Sequence, residues 1–318
     1  MINIQKAAII GCGFVGTSIA FSLVQKGIFS ELVLIDANEK KAEGEAMDLS
    51  HGLPFTKPME IRAGSYEDIA DCAMIIITAG ANQKPGETRL DLVHKNVEIY
   101  KSIIPKIVEK NQEATLLIVS NPVDIMTRIT YTLSGFNPRR VLGSGTALDT
   151  ARLRYLLGES LSVDPRNVHA YVMGEHWDSE FVPWSQAMIA TKPILSLCEE
   201  QGEGGMEVIC GDELKRIEED VRGAAYQIIE AKSATYYGIG MALSRITRAI
   251  LGDENSVLTV SAMLRGEYGQ NDVYAGVPCI INKNGIFRVL PLDLSEEEKR
   301  RLGESCDTLR ASFDELEQ

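Results

Sequence analysis

The stretch that most restricts what this chain can become lies in its first 36 residues. Residues 6–10, Lys-Ala-Ala-Ile-Ile, read as the end of a buried parallel strand. Gly11-Cys12-Gly13-Phe14-Val15-Gly16 follows, then Val15, Ile19, Leu23 and Val24 at helical spacing up to Gly27. A second strand over 31–35 closes on Asp36, twenty positions beyond Gly16. A lone G-x-G-x-x-G says little. Between a strand and a helix, with an acid at that distance, it predicts a dinucleotide site. Gly11 permits the tight turn, and Gly13 lets a pyrophosphate approach free backbone N–H groups at the positive end of the helix. Gly16 allows helix and strand to pack closely. Asp36 would accept hydrogen bonds from ribose hydroxyls and repel a 2′-phosphate, so the expected cofactor is NAD rather than NADP. Phe14 and Val15, inside the turn, are counted among the cofactor contacts.

Strands and helices keep alternating after this unit. Residues 73–78 form an apolar run followed by Ala79 and Gly80, at the strand end where such sheets bind ligands. Residues 92–110 have helical spacing, with Pro105 predicting a kink or a break. Residues 115–120 read as a strand ending in Asn121-Pro122, and Val141-Leu142 as a short strand before Gly143. The rhythm predicts an α/β fold with a Rossmann-type, doubly wound parallel sheet over 1–143. Residues 144–318 differ. A helix opens at 144–154, strands are expected at 181–190 and 259–263, and Asn284-Gly285 between apolar runs predicts a hairpin. Residues 212–232 form an amphipathic helix, Thr235 follows it, and 295–316 read as an acidic helix with a solvated face. This half is expected to be a mixed α+β substrate domain with antiparallel strands.

Bulk charge limits the partners. The net charge of −13 argues against nucleic acid and anionic membranes, though a few local arginines could still hold a small anion. The 318 residues, 45% of them apolar, can bury two domain cores without staples. Six cysteines show no C-x-x-C spacing and none lies near a histidine cluster, so free thiols in a reducing cytoplasm are expected, and no metal site. No apolar run reaches membrane-spanning length, and Met1 leaves little room for a leader before the first strand.

Hydride transfer at a carbonyl carbon is the simplest chemistry for bound NAD, and the carbonyl oxygen then needs a proton. A histidine can supply it near neutral pH. Of the four histidines, His176 stands where the apolar segment 168–173 gives way to an acidic, turn-prone cluster, a place for the mouth of a cleft. An aspartate on its other ring nitrogen would fix the tautomer, an arginine would hold a substrate carboxylate, and a second arginine would steady the developing alkoxide. Asp149, Arg152 and Arg89 can fill those roles; spacing alone does not bring them together. Arg89 and Gln83 lie in the polar loop 81–91, whose Pro85-Gly86 suits a closing lid over the substrate.

Five separated motifs make the chain similar to the L-lactate/malate dehydrogenase family over almost its whole length. They are the Gly11–Gly16 turn with Asp36, Gln83-Lys84-Pro85-Gly86-Glu87-Thr88-Arg89, Asn121-Pro122-Val123-Asp124, Leu148-Asp149-Thr150-Ala151-Arg152 and Gly174-Glu175-His176. The resemblance implies that His176 exchanges the proton, Asp149 supports it, Arg152 anchors the carboxylate and Arg89 is the lid arginine. It places Asn121 near nicotinamide and substrate. Malate enzymes resemble one another in having arginine where Gln83 stands, and lactate enzymes in having threonine at the place of Thr235, so pyruvate and L-lactate are the implied substrates. Arg154 and His169 are similar to the pair that binds fructose 1,6-bisphosphate at a subunit interface in bacterial lactate dehydrogenases, which implies an effector and a homotetramer built from dimers. The family usually has glycine after the catalytic histidine, and here Trp177 stands there. Two other readings stay open: a malate or other L-2-hydroxyacid dehydrogenase, and a nucleotide-binding oligomer whose catalysis Trp177 has impaired.

Overall fold

The structure, a computed structural model, describes residues 2–81, 89–197 and 211–317. The first half alternates as expected: β1 Asn3–Ile10, α1 Phe14–Lys26, β2 Glu31–Ile35, α2 Glu39–His51, β3 Glu60–Ala63, β4 Cys72–Ile77, α3 Arg89–Lys110, β5 Thr115–Ile118, α4 Val123–Ser134 and β6 Val141–Gly143. These six strands are parallel and lie in the order β6-β5-β4-β1-β2-β3, so the chain winds outward from β1 in both directions. Ala7 to Ile10, Leu32 to Ile35 and Met74 to Ile77 are all buried, because helices cover both faces of the sheet. Gly27 caps α1 in the left-handed conformation, with φ 56°.

Helix α3 runs unbroken through Pro105, contrary to the break its sequence suggests. Proline removes one N–H, which leaves the carbonyl four residues earlier without its helical partner. That carbonyl belongs to Lys101, and both Lys101 and Pro105 lie on the exposed side, where water can serve it.

The second half contributes α5 Ala147–Ser160, β7 Val168–His169, β8 Met188–Ile189, β9 Lys192–Pro193, α6 Ile194–Leu197, α7 Gly211–Lys232, α8 Tyr237–Leu251, β10 Ser256–Arg265, β11 Asn271–Asn282, β12 Gly285–Val289 and α9 Glu296–Glu317. Strands β10, β11 and β12 are antiparallel, as expected, and β11–β12 turn at Asn284-Gly285, with Gly285 at φ 82°. They do not form a separate sheet. β10 pairs antiparallel with β6 at Ser261 and Gly143, which gives one nine-stranded sheet. The strand expected over 181–190 is also different. Phe181 makes a single bridge to Met173, Pro183 leads into a 3-10 turn at Trp184–Gln186, and only Met188–Ile189 remains as strand. Proline withholds a ladder donor, so an apolar run that contains it is interrupted.

Two apolar clusters result. The larger spans the sheet and both its faces. The smaller, around Leu153, Leu157, Val172, Ile194, Leu214 and Val221, packs α5 and α7 on the short strands. Cys12, Cys72, Cys279 and Cys306 are buried and unpaired, while Cys198 and Cys210 lie outside the described residues.

Candidate active site

The glycine turn behaves as three different glycines. Gly11 takes φ +107°, and a side chain there would meet the backbone of Ala79 at 2.5 Å. A Cβ on Gly16 would lie 2.0 Å from the carbonyl oxygen of Gly11, which seats α1 hard against the strand end. A Cβ on Gly13 would meet nothing within 4 Å, so that backbone faces open space. Asp36 reaches over the same turn, where its carboxylate accepts from the backbone N–H of Cys12 at 2.7 Å and of Asn38 at 2.9 Å. Gly11, Gly13, Asp36, Ala79 and Gly80 line one groove along the strand ends. An open backbone at a helix start beside an acid that can meet a ribose suits NAD. Phe14 lies outside this groove, 71% exposed and stacked on Tyr236 with ring centroids 5.4 Å apart.

A second cavity continues from the N-terminus of α1. Asn121, Asp149, Arg152, His176, Trp177 and Thr235 line it, with Val15, Leu148, Tyr226 and Ile229 as apolar walls. Thus His176, Asp149 and Arg152, whose roles the family resemblance implies, are brought together by α5 and the turn after Gly174. Asp149 is 2% exposed and has both oxygens engaged: Oδ2 with His176 Nδ1 at 2.5 Å, and Oδ1 accepting from Arg152 at 2.6 Å. Gln83 lies outside the described residues. Arg89 opens α3, and its side chain also lies outside them.

Electrostatics favour a charged imidazole. Burial alone would discourage protonation of His176, but the adjacent Asp149 carboxylate outweighs it and raises the pKa to about 9. Burial likewise opposes ionisation of Asp149, and the charge of His176, with Arg152 behind it, still brings its pKa below the ordinary aspartate value. Glu180 goes the other way. Burial, then repulsion from Asp149, pushes its pKa well above the ordinary glutamate value. Asp149, His176 and Glu180 each bring one ligand atom within 4.8 Å of the others, a spacing a metal ion could use. With both Asp149 oxygens already engaged by His176 and Arg152, the trio is better matched to moving a proton.

Backbone contacts fix the histidine from three elements. Gly174 bridges to Gly276 on β11 with φ +98°, and the N–H of Glu175 donates to Ser305 Oγ of α9 at 2.7 Å. The N–H of His176 donates to Asp124 Oδ2 of α4 at 2.9 Å. Asp124 is 2% exposed, its other oxygen accepts from Ser261 Oγ of β10 at 2.5 Å, and burial raises its pKa to about 6. Sequence reasoning gave Asp124 no role, nor Glu180 or Ser261. The available signal was an acid in the first helical turn straight after Asn121-Pro122.

Trp177 stands in the cavity wall. Its ring meets the Tyr226 ring of α7 edge-on, with centroids 6.4 Å apart at 87°. The backbone N–H of Trp177 donates to the Glu175 carbonyl at 2.7 Å, which keeps the turn tight.

Arg154, on the far side of α5, donates through Nε to the carbonyl of Ala170 at 3.0 Å and lies over the Tyr171 ring at 5.2 Å. Burial brings it below the usual guanidinium pKa. His169, the residue before Ala170, is exposed on β7.

Comparison with known proteins follows this geometry. Residues 5–143 match the family pattern described as lactate/malate dehydrogenase, NAD binding domain, and residues 146–318 match lactate/malate dehydrogenase, alpha/beta C-terminal domain. The chain is 52% identical over 312 residues to L-lactate dehydrogenase 1 of Clostridium acetobutylicum, covering 98% of each. It is 54% identical over 307 residues to L-lactate dehydrogenase of Geobacillus kaustophilus, covering 96% of this chain and 95% of that one. Among solved structures, a lactate dehydrogenase from a Medee basin deep-sea metagenome library superposes with TM-score 0.95 at 46% identity over all of both chains. The minor L-lactate dehydrogenase of Enterococcus mundtii superposes with TM-score 0.95 at 43% identity over 98% of each.

Proposed function

The chain belongs to the lactate/malate dehydrogenase family, and from that premise we propose that it reduces pyruvate reversibly to L-lactate with NADH. One observation supports the chemistry above the rest: His176 held through Nδ1 by the buried Asp149 carboxylate, in one cavity with Arg152. Bound NADH supplies a hydride to the carbonyl carbon. His176 gives the carbonyl oxygen a proton from its remaining ring nitrogen, and Asp149 keeps the imidazole in the tautomer that can do so. Arg152 holds the substrate carboxylate, Arg89 closes over the carbonyl, and Asn121 and Thr235 border the substrate. Gly11, Gly13, Ala79 and Gly80 hold the cofactor backbone, with Asp36 on its ribose. Residues 1–143 serve as the cofactor domain and 144–318 as the substrate domain.

Pyruvate is favoured over oxaloacetate because Gln83 is neutral and Thr235 is small. A second substrate carboxylate would find no charge there, which costs several kcal/mol in a closed site. Purified protein is expected to show a higher kcat/KM for pyruvate than for oxaloacetate, and the reverse ranking sinks this reading in favour of a malate enzyme. Absence of NADH oxidation with any 2-oxoacid would favour the impaired oligomer.

Arg154 and His169 serve as the phosphate site for fructose 1,6-bisphosphate across a two-fold axis. The Arg154 contact with Ala170 places its guanidinium beside the His169 strand, which supports this. Titrating the effector should activate the wild type and leave Arg154→Gln unmoved, and no activation of wild type ends the idea. A tetramer is supported by the faces of α1, α2 and α8, where Phe21, Met47 and Met241 are each more than half exposed. Buried, unpaired thiols favour a reducing cytoplasm, and no described helix is long and apolar enough to cross a membrane.

A further inference from the structure

Almost every described arginine in this acidic chain is engaged by a carboxylate, a carbonyl or a ring. Among the described side chains, Arg139, Arg140, Arg265 and Arg288 have no such partner. Three of the four, Arg139, Arg265 and Arg288, line one concavity of about 370 Å³. It lies between the 3-10 turn Pro138–Arg140 and the antiparallel strands, far along the sheet from the glycine turn. Met263 and Val289 are buried in its floor, and Phe287 is 44% exposed beside Arg288. One acid, Glu267, shares the lining, and its Oε2 already accepts from the backbone N–H of Arg265 at 2.6 Å.

Guanidinium groups gathered round a hollow repel one another, and the chain holds 45 acidic residues from which a neutralising neighbour could have come. Among the described residues only Glu267 comes near, and no ion pair joins a carboxylate to these three side chains. Their planar forks match the paired oxygens of phosphate groups, with several donors each. We propose that this concavity binds a compact polyanion carrying phosphoryl groups, at a site separate from the substrate cavity and from Arg154 and His169. The proposal does not depend on the reading of the catalytic reaction.

Isothermal calorimetry with pyrophosphate tests it on the full chain, with potassium chloride matching ionic strength throughout. Saturable binding is expected in the wild type and in Arg154→Gln. Affinity should fall at least tenfold in the triple variant Arg139→Gln/Arg265→Gln/Arg288→Gln. Arg265→Lys/Arg288→Lys keeps the charge but loses the forks, and should fall between the two; it also serves if the triple variant folds poorly. A sugar bisphosphate run in parallel separates a free inorganic anion from a phosphate ester as the preferred source. No saturable pyrophosphate binding overturns the proposal, as does equal affinity in the triple variant or loss of binding in Arg154→Gln alone.

Discussion

His176 is influenced by three buried carboxyl groups, Asp149 first, then Glu180 and Asp124. Asp149 touches the ring and Asp124 holds the backbone N–H, and both negative charges favour the imidazolium. Because the folded-state pKa of about 9 exceeds the ordinary 6.5, this group adds to stability fully below about 6.5, and that contribution disappears as pH rises through about 9. Pyruvate reduction consumes the same proton, so its kcat/KM should hold across neutral pH and fall above about 9. Asp149→Asn is expected to move that falling limb to lower pH and to cut kcat/KM roughly 10²-fold. A limb that stays in place in a pH profile would count against the pairing. Asp124→Asn keeps an acceptor for the backbone but removes a charge. It should shift the limb the same way by less and lower kcat, and an unchanged profile with unchanged kcat would show Asp124 to be packing alone. Trp177→Gly frees the wall beside His176 and is expected to raise kcat/KM for pyruvate roughly severalfold, as small gains in alignment do. An unchanged or lower value would mean that the indole is part of the working pocket.

At the scale of elements, the turn between β1 and α1 is the most demanding joint. Gly16→Ala would place a carbon 2.0 Å from the Gly11 oxygen, so α1 would have to lift from the strand. A loss of about 1–3 kcal/mol in stability, with weaker NADH binding, is expected from denaturation and cofactor titration. A variant as stable as wild type with equal NADH affinity would contradict that packing. This joint was legible in sequence because every part of it is local: a strand, three glycines, a helix and an acid, all within 36 residues. The same holds for the hairpin at Asn284-Gly285. The run 181–190 was misread because its apolar residues serve several separate neighbours, with Pro183 and the 3-10 turn interrupting them. Asp124 and Ser261 were silent because their meeting with His176 joins residues up to 137 apart, which no local spacing records. Recognition of a family, rather than periodicity, supplied the roles of Asp149 and Arg152; the contact between them and His176 had to come from the fold.

For the whole molecule, charge and apolar surface pull in opposite directions. A net charge of −13 keeps chains apart in general, while Phe14, Phe21, Met47 and Met241 leave apolar area on the α1, α2 and α8 side. Light scattering after size exclusion should give a mass that is a multiple of 34.9 kDa, four-fold in the proposed tetramer. Met47→Lys/Met241→Lys should lower it, and a monomeric wild type at micromolar concentration would contradict the assembly. The nine-stranded sheet carries a further consequence. Since β10 pairs with β6, the groove along the glycine turn and the histidine turn are carried by one nine-stranded sheet. On a shared sheet of this kind a ligand's arrival is expected to change loop protection in hydrogen exchange while the strands from β4 to β11 stay as they were, and altered protection of those strands would contradict it.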